Sequence, residues 1–200
     1  EDLERMRSIR EAVGYEIPIR IDANQGWKKV DVPGILVSMA TFNIQHCEEP
    51  ISRREYNILP GLRKGSPIPL MADESCCDHY DAIRLAEAGG CDLFNIKLGK
   101  SGGIFEALRI IEVAEKYNID IQLGGFLESR LAFTAAAHMA MVSDRVRYFD
   151  FDTPLMFSED PVEGGIVYES NGGIDLPDGI GIGASFRPDH LQRCESISIN

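Results

Sequence analysis

The 200-residue chain carries 32 acidic and 20 basic residues, a formal net charge of −12, which argues against a surface built to hold a nucleic-acid backbone or to dock on anionic lipid. No apolar run approaches the ~20 residues of a membrane helix, and the opening Glu1-Asp2-Leu3-Glu4-Arg5 lacks a signal peptide's apolar core. With 44% hydrophobic and 26% charged residues, the composition is that of a globular protein with a real core. The cysteines Cys47, Cys76, Cys77, Cys91 and Cys194 are odd in number, include an adjacent pair and form no CxxC zinc pair. They make a poor disulfide framework, so a reducing cytoplasm is the expected setting.

Leu3, Met6, Ile9, Arg10 and Val13 recur at helical spacing, and Gly14 stops the helix. A strand over Ile17–Ala23 follows, then a helix with Pro33 in its first turn and Ile35, Leu36, Met39 and Ala40 as its apolar residues. The same pair of elements repeats. Strand Ile44–Glu48 leads to a helix near Arg54–Arg63, strand Pro69–Asp73 to helix Tyr80–Ala88, and strand Asp92–Lys97 to helix Ile104–Tyr117. Strand Asp120–Gly124 leads to helix Leu131–Val142, and Arg147–Asp152 is the last clear strand. Beyond Thr153 the chain is rich in Gly and Pro, with short apolar runs such as Gly164–Tyr168.

Strands alternating with helices mean parallel β/α units, in a doubly wound open sheet or a closed barrel. Six units are countable, whereas an eight-stranded barrel takes ~250 residues. The expected fold is therefore α/β: an incomplete TIM-type barrel of about six β/α units, with residues 1–155 as the barrel units and residues 156–200 as a tail that packs back on them.

The residues that end the strands carry the chemical signal. Asp22, Glu48, Asp73 and Lys97 follow one another at intervals of about 25 residues, one β/α unit each, and Asp150 and Asp152 close the last strand. Side chains alternate across a strand, so Asp22 points opposite to Ile19 and Ile21, and Lys97 opposite to Ile96. The charged set should face the barrel interior at the carboxyl ends of the strands, where such barrels keep their active sites.

Taken singly, an acidic residue after a strand is usually a cap for the next helix. Three converging carboxylates repel by several kcal/mol unless a cation sits between them, and a hard divalent ion such as Mg²⁺ suits their oxygens. Lys97 reads either as an ion-pair partner of those carboxylates or as a general base, its pKa lowered by burial and a neighbouring cation. Asp150-Phe151-Asp152 reads as an exposed strand end, or as two carboxylates on one face forming a pocket for an ammonium group.

Other features carry less. Gly99-Lys100-Ser101 lacks the earlier glycine of a phosphate loop, because position 94 is Phe. His46, His79, His138 and His190 have no spaced partners and read as structural or surface residues. Gly179–Gly183 joins no strand to a helix and reads as a loop.

Arg20-Ile-Asp22-Ala-Asn24, Cys47-Glu48-Glu49-Pro50, Met71-Ala-Asp73-Glu-Ser75 and Asn95-Ile-Lys97-Leu-Gly-Lys100-Ser-Gly-Gly103 together resemble the enolase superfamily, muconate-lactonizing subgroup. Asp150-x-Asp152 followed by Thr153-Pro154-Leu155 narrows the resemblance to the dipeptide epimerases, the group that includes L-Ala-D/L-Glu and D-Ala-D/L-Ala epimerases. The resemblance implies Mg²⁺ ligands at Asp22, Glu48 and Asp73, and a catalytic lysine at Lys97. It implies an ammonium-binding pair at Asp150 and Asp152, and a substrate contact at Gly125.

The implied reaction inverts the α-carbon of a dipeptide's C-terminal residue by lysine-mediated proton transfer through an enolate, with Mg²⁺ as cofactor and a small dipeptide as substrate. The family's second lysine, in a Lys-x-Lys motif one strand earlier, and its N-terminal capping domain have no counterpart here, so a fragment of a longer protein is expected. Two alternatives stay open. One is another reaction of the subgroup, cycloisomerisation or o-succinylbenzoate synthesis; the other is a catalytically incomplete barrel that binds metal or peptide. The oligomeric state is not legible, and self-association is compatible with the sequence.

Overall fold

The alternation of strands and helices persists in the computed structural model, which describes residues 1–197. The order is α1 (Asp2–Val13), β1 (Ile19–Asp22), α2 (Val32–Ala40), β2 (Ile44–Glu48), a 3₁₀ segment Arg53–Ile58 running into α3 (Leu59–Gly65), β3 (Leu70–Ala72) and α4 (His79–Ala88). Next come β4 (Leu93–Lys97), α5 (Leu98–Ser101), α6 (Ile104–Tyr117), β5 (Asp120–Gly124), α7 (Arg130–Met139) and β6 (Val146–Phe149). A 3₁₀ turn at Thr153–Met156 precedes β7 (Val162–Gly164), β8 (Val167–Tyr168), β9 (Ile174–Asp175), β10 (Ala184–Phe186) and α8 (Pro188–Leu191).

Strands β1 to β6 form one sheet in sequence order, every pair parallel. The sheet curls. A hydrogen bond of 3.1 Å from Arg20 on β1 reaches Gln122 on β5, and the rings of His46 on β2 and Tyr148 on β6 meet edge-on at 4.9 Å. Side chains four strands apart touch only if the sheet wraps around a shared interior, so this is a six-stranded partial barrel with its helices outside.

Alternation divides the strand residues between two environments. Cys47, Leu70, Phe94, Ile96, Ile121 and Leu123 join the apolar core with Leu36 and Met39 of α2, Leu85 of α4, Ile110 and Ile111 of α6 and Phe133 of α7. Burying a Leu, Ile or Phe side chain stabilises by roughly 1.5–3 kcal/mol, so this layer drives the fold. The opposite face presents Arg20, Asp22, His46, Glu48, Asn95, Lys97, Gln122 and Tyr148 to the interior.

Local chemistry sets the element ends. Asp78 caps α4 through the Asp81 amide at 2.8 Å, and Gly89 ends it in the left-handed conformation. Pro60 near the start of α3 splits the single expected helix into a 3₁₀ segment and a short α-helix.

Helix α1 departs from the expected apolar stripe: Ile9 and Val13 are exposed, while Met6 and Arg10 are buried. The Arg10 guanidinium donates to Phe42 O (2.6 Å), Gly14 O (2.7 Å), Ile17 O (2.7 Å) and Asn43 O (2.9 Å). Five guanidinium donors can close two chain turns at once, which a hydrocarbon at this position could not do.

The tail forms two antiparallel pairs, β7 with β10 and β8 with β9. Arg130 of α7 donates to the carbonyls of Val162, Gly164 and Ile166, and the Tyr168 hydroxyl donates to Phe151 O. Residues 198–200 of the expected tail lie outside the described residues. All five cysteines are free. Among the described residues no helix is long and apolar enough to cross a membrane.

Replacing Arg10 with Met should strip four carbonyls of their donor. Urea unfolding of the intact protein should show a loss of roughly 2–4 kcal/mol, the scale of several hydrogen bonds to a charged group. A loss below about 0.5 kcal/mol, the usual surface value, would show that Arg10 does not clamp these turns.

Candidate active site

Strands β1 to β4 each deliver one charged side chain to the carboxyl end of the partial barrel, though not in a level row. Asp22 lies opposite Glu48. Glu48, however, lies opposite Met71, two residues short of Asp73. Lys97 lies opposite Gly124, and the Asp150 amide bonds Leu123 O at 3.0 Å just beyond β6. Tilted strands require this stagger.

Asp22, Glu48, Asp73 and Lys97 do share one neighbourhood. Lys97, 9% exposed, places Nζ 2.6 Å from Asp73 Oδ2 and 3.8 Å from Glu48 Oε1. Lys100 takes the other Asp73 oxygen at 2.6 Å and also donates to Asp73 O (2.6 Å) and Asn95 O (2.7 Å). Asn95 Nδ2 donates to Glu48 Oε1 at 2.6 Å and Gln122 Nε2 to Glu48 Oε2 at 3.3 Å. Asp22 accepts from the Asn24 amide at 2.7 Å, in a turn where Asn24 and Gln25 adopt positive φ.

The electrostatics follow this crowding. Burial, then the charges of Asp73 and Asp22, push the Glu48 carboxyl up to about 7. Burial and Asp73 also raise Asp22, against the amide of Asn24. Burial pushes Asp73 upward too, but Lys100 and Lys97 outweigh it and hold the carboxyl below its ordinary value.

Lys97 corrects an expectation. Burial lowers its pKa, but the hydrogen bond and charge of Asp73, with Glu48 and Asp22, win and raise it. The lowered value needed a cation beside the amine; here the amine is itself the cation among the carboxylates.

Among the described residues, no three or more His, Cys, Asp or Glu side chains are gathered to hold a metal ion as they stand. The donor set nevertheless fits one: three carboxylates face two ammonium groups, all donors are oxygen, and Glu48 is strained toward protonation by burial and by the neighbouring charges of Asp73 and Asp22.

The acidic pair lies at the far strand. β6 ends at Phe149, so Asp150 and Asp152 are not on a strand; Asp152 is already helical at the start of the 3₁₀ turn. The side chains still alternate. Phe151 is buried against Phe133 at 5.1 Å while both aspartates remain accessible. Burial and the charge of Asp152 raise Asp150, and Arg20 and Lys97 oppose them.

Gly125 follows β5, where a Cβ would lie 2.5 Å from the Phe133 ring and 2.9 Å from Glu128 Oε2. Packing alone therefore demands glycine there. Glu128 is raised by burial and lowered by Lys97, and the Phe126 ring lies 5.4 Å from Lys97 Nζ.

Several residues went unread in the sequence. Lys100 stands one helical turn after Lys97, a spacing that could have suggested two amines for one carboxylate. Glu49, at φ 30°, binds the amides of Asp73 (2.7 Å) and Ser75 (3.2 Å) and the Ser75 hydroxyl, and so shapes the loop that presents Asp73. Its left-handed backbone left no mark in periodicity. Asn95 and Gln122 looked like ordinary strand residues. His46 is buried in the barrel interior against Tyr148, its pKa pushed down to about 4 by burial and the Arg20 charge.

Residues 1–190 match the family described as Enolase C-terminal domain-like. The D-Ala-D/L-Ala epimerase of Cytophaga hutchinsonii is 55% identical over 199 residues, covering 100% of this chain and 54% of that protein. A crystal structure of a dipeptide epimerase from Cytophaga hutchinsonii, complexed with Mg and D-Ala-L-Val, superposes with a TM-score of 0.97 at 55% identity; the match covers 100% of this chain and 54% of that one. A dipeptide epimerase from Enterococcus faecalis, complexed with Mg and L-Leu-L-Tyr, gives 0.87 at 37% identity, covering 92% of this chain and 52% of that one. The chain thus spans about half the length of the curated relatives it matches.

Glu48 makes the site's pH response testable. Its folded pKa lies above its ordinary value of 4.5, so its contribution to stability is complete below about 4.5 and is lost as pH rises through about 7. In chelator, the melting temperature of the wild type should fall relative to Glu48→Gln across that window, the two converging at lower pH. A pH-independent difference would contradict the raised carboxyl.

Proposed function

The chain belongs to the Enolase C-terminal domain-like family, in the muconate-lactonizing subgroup of the enolase superfamily, and on that premise we propose that the intact protein is a Mg²⁺-dependent dipeptide epimerase. One observation carries the reading. The Lys97 amine lies 2.6 Å from Asp73 and 3.8 Å from Glu48 in an oxygen-rich cluster with Asp22, and its charge also acts on Asp150 of a separate carboxylate pair, Asp150 and Asp152.

A dipeptide has the matching polarity, a carboxylate at one end and an ammonium at the other. Asp22, Glu48 and Asp73 would hold Mg²⁺ beside the substrate carboxylate; when bound, the ion would supply positive charge for the group next to the carbon that loses its proton. Asp150 and Asp152 hold the ammonium by charge-assisted hydrogen bonds. With both ends fixed, the α-carbon of the C-terminal residue is presented to Lys97, and much of the entropic cost of orientation is met by binding.

Lys97 takes the α-proton on its nitrogen lone pair as the C–H bond breaks, so it must enter the reaction neutral. Drawing Glu48 and Asp73 toward a cation would remove the partners that now keep it protonated. Inversion then needs a proton delivered from the opposite face. Lys100 is held by three oxygens and does not serve as that donor, so a second acid–base group that carries the returning proton is part of the proposal. Gly125 lines the substrate side next to Phe133. Residues 1–155 form the barrel segment and residues 156–200 the tail, and the free cysteines accord with a cytoplasmic setting.

Dipeptide epimerisation by the full-length protein can be followed by NMR in D₂O. Lys97→Ala should abolish inversion in at least one direction, and normal two-way turnover would refute its role. Asp150→Asn should raise KM at least about tenfold while leaving Mg²⁺ affinity nearly unchanged, the scale of one lost charge-assisted contact. Chelation should stop α-deuterium exchange and added Mg²⁺ should restore it; exchange persisting in chelator would sink the metal assignment.

A further inference from the structure

Beneath the carboxylates, the barrel interior holds a chain of polar groups that none of these roles requires. Gln122, 4% exposed in the middle of β5, places its amide between two partners. Nε2 donates to Glu48 Oε2 at 3.3 Å, while Oε1 accepts from Arg20 Nη1 at 3.1 Å. We propose that Arg20 and Gln122 are positioning residues for Glu48: the guanidinium sets which end of the Gln122 amide faces the carboxylate, and the amide sets the direction of Glu48. The inference rests on the reading of Glu48 as a Mg²⁺ ligand.

The two ends of the glutamine amide are nearly identical in shape and opposite in hydrogen-bonding sense. A buried amide beside a carboxylate could stabilise it with NH₂ or repel it with oxygen. A guanidinium has only donors, so whichever end of Gln122 meets Arg20 must be the oxygen. The NH₂ group is then committed to Glu48. Asn95 supplies the other donor, at 2.6 Å to Oε1, and with both oxygens held Glu48 has one direction.

Besides Gln122, Arg20 is located by β1 and β6. It leaves β1, the strand that carries Asp22, donates to Phe149 O at 3.3 Å beside Asp150, and lies 5.9 Å from the centre of the Tyr148 ring. Partners that orient a metal ligand without touching the metal typically account for ten- to a hundredfold in affinity.

The test is calorimetric Mg²⁺ titration of the full-length protein without substrate, using wild type, Gln122→Met, Arg20→Met, the double variant and Arg20→Lys. Melting in chelator checks that each is folded. Gln122→Met should weaken Mg²⁺ binding roughly tenfold and Arg20→Met roughly fivefold. The double variant should be no weaker than Gln122→Met, because Arg20 acts through the amide. Arg20→Lys, which keeps a donor-only group, should recover most of the loss.

Wild-type affinity in both single variants, or losses that multiply in the double, would overturn the proposal. If Gln122→Met does not fold, Arg20→Met and Arg20→Lys still decide, since Arg20 is accessible: no loss in the first, or an equal loss in both, counts against it. Failure of the wild type to bind Mg²⁺ would remove the ligand reading itself. A wild type that binds, with Glu48→Gln that does not, isolates the positioning claim.

Discussion

The structure around the site turns on a charge imbalance that its own residues only partly neutralise. Asp22, Glu48 and Asp73 are brought within one another's field at the rim of the sheet, and the ammonium groups of Lys97 and Lys100 divide Asp73 between them. Burial, reinforced by the charges of Asp73 and Asp22, leaves Glu48 strained toward protonation. The roles differ accordingly. Lys100, locked by three oxygens, is a fixed counter-charge. Lys97, with one strong contact and a longer one to Glu48, is the less firmly held amine of the two.

That imbalance is affordable because the two faces of the sheet are built differently. The helix-facing side is apolar and continuous from Leu36 to Phe133, and most of the folding free energy is gained there. The interior can then carry Arg20, His46, Asn95 and Gln122 in a bonded layer rather than a packed hydrocarbon one. A polar layer costs desolvation unless its members are paired, and most of these are. Asn95 Oδ1 and His46 Nδ1 are buried without partners among the described residues, directly beneath the charged rim.

The fold was legible to the extent that it is local. Helix Ile104–Tyr117 and strand Asp120–Gly124 match their expected limits residue for residue, because an amphipathic helix ending at a left-handed Asn and a buried strand both print their periods on the sequence. Helix α1 departs from its apolar period, since Arg10 is buried by carbonyl contacts with a segment some thirty residues away that no periodicity records. The last strand is shorter than expected: alternation continues through Phe151, but strand pairing stops at Phe149.

By itself, the sequence determined the β/α order, the apolar faces and the identity of the charged residues that end the strands, because alternation and helical spacing are properties of neighbouring residues. Tertiary structure alone decided the two-residue stagger that lets Glu48 and Asp73 converge, the capture of Asp73 by Lys100 and the upward shift of Lys97. It also decided the polar chain from Arg20 through Gln122 to Glu48. Each of these depends on which strands become neighbours and how far the sheet curls, and a hydrogen bond between residues 20 and 122 exists only once that curvature has brought β1 and β5 together.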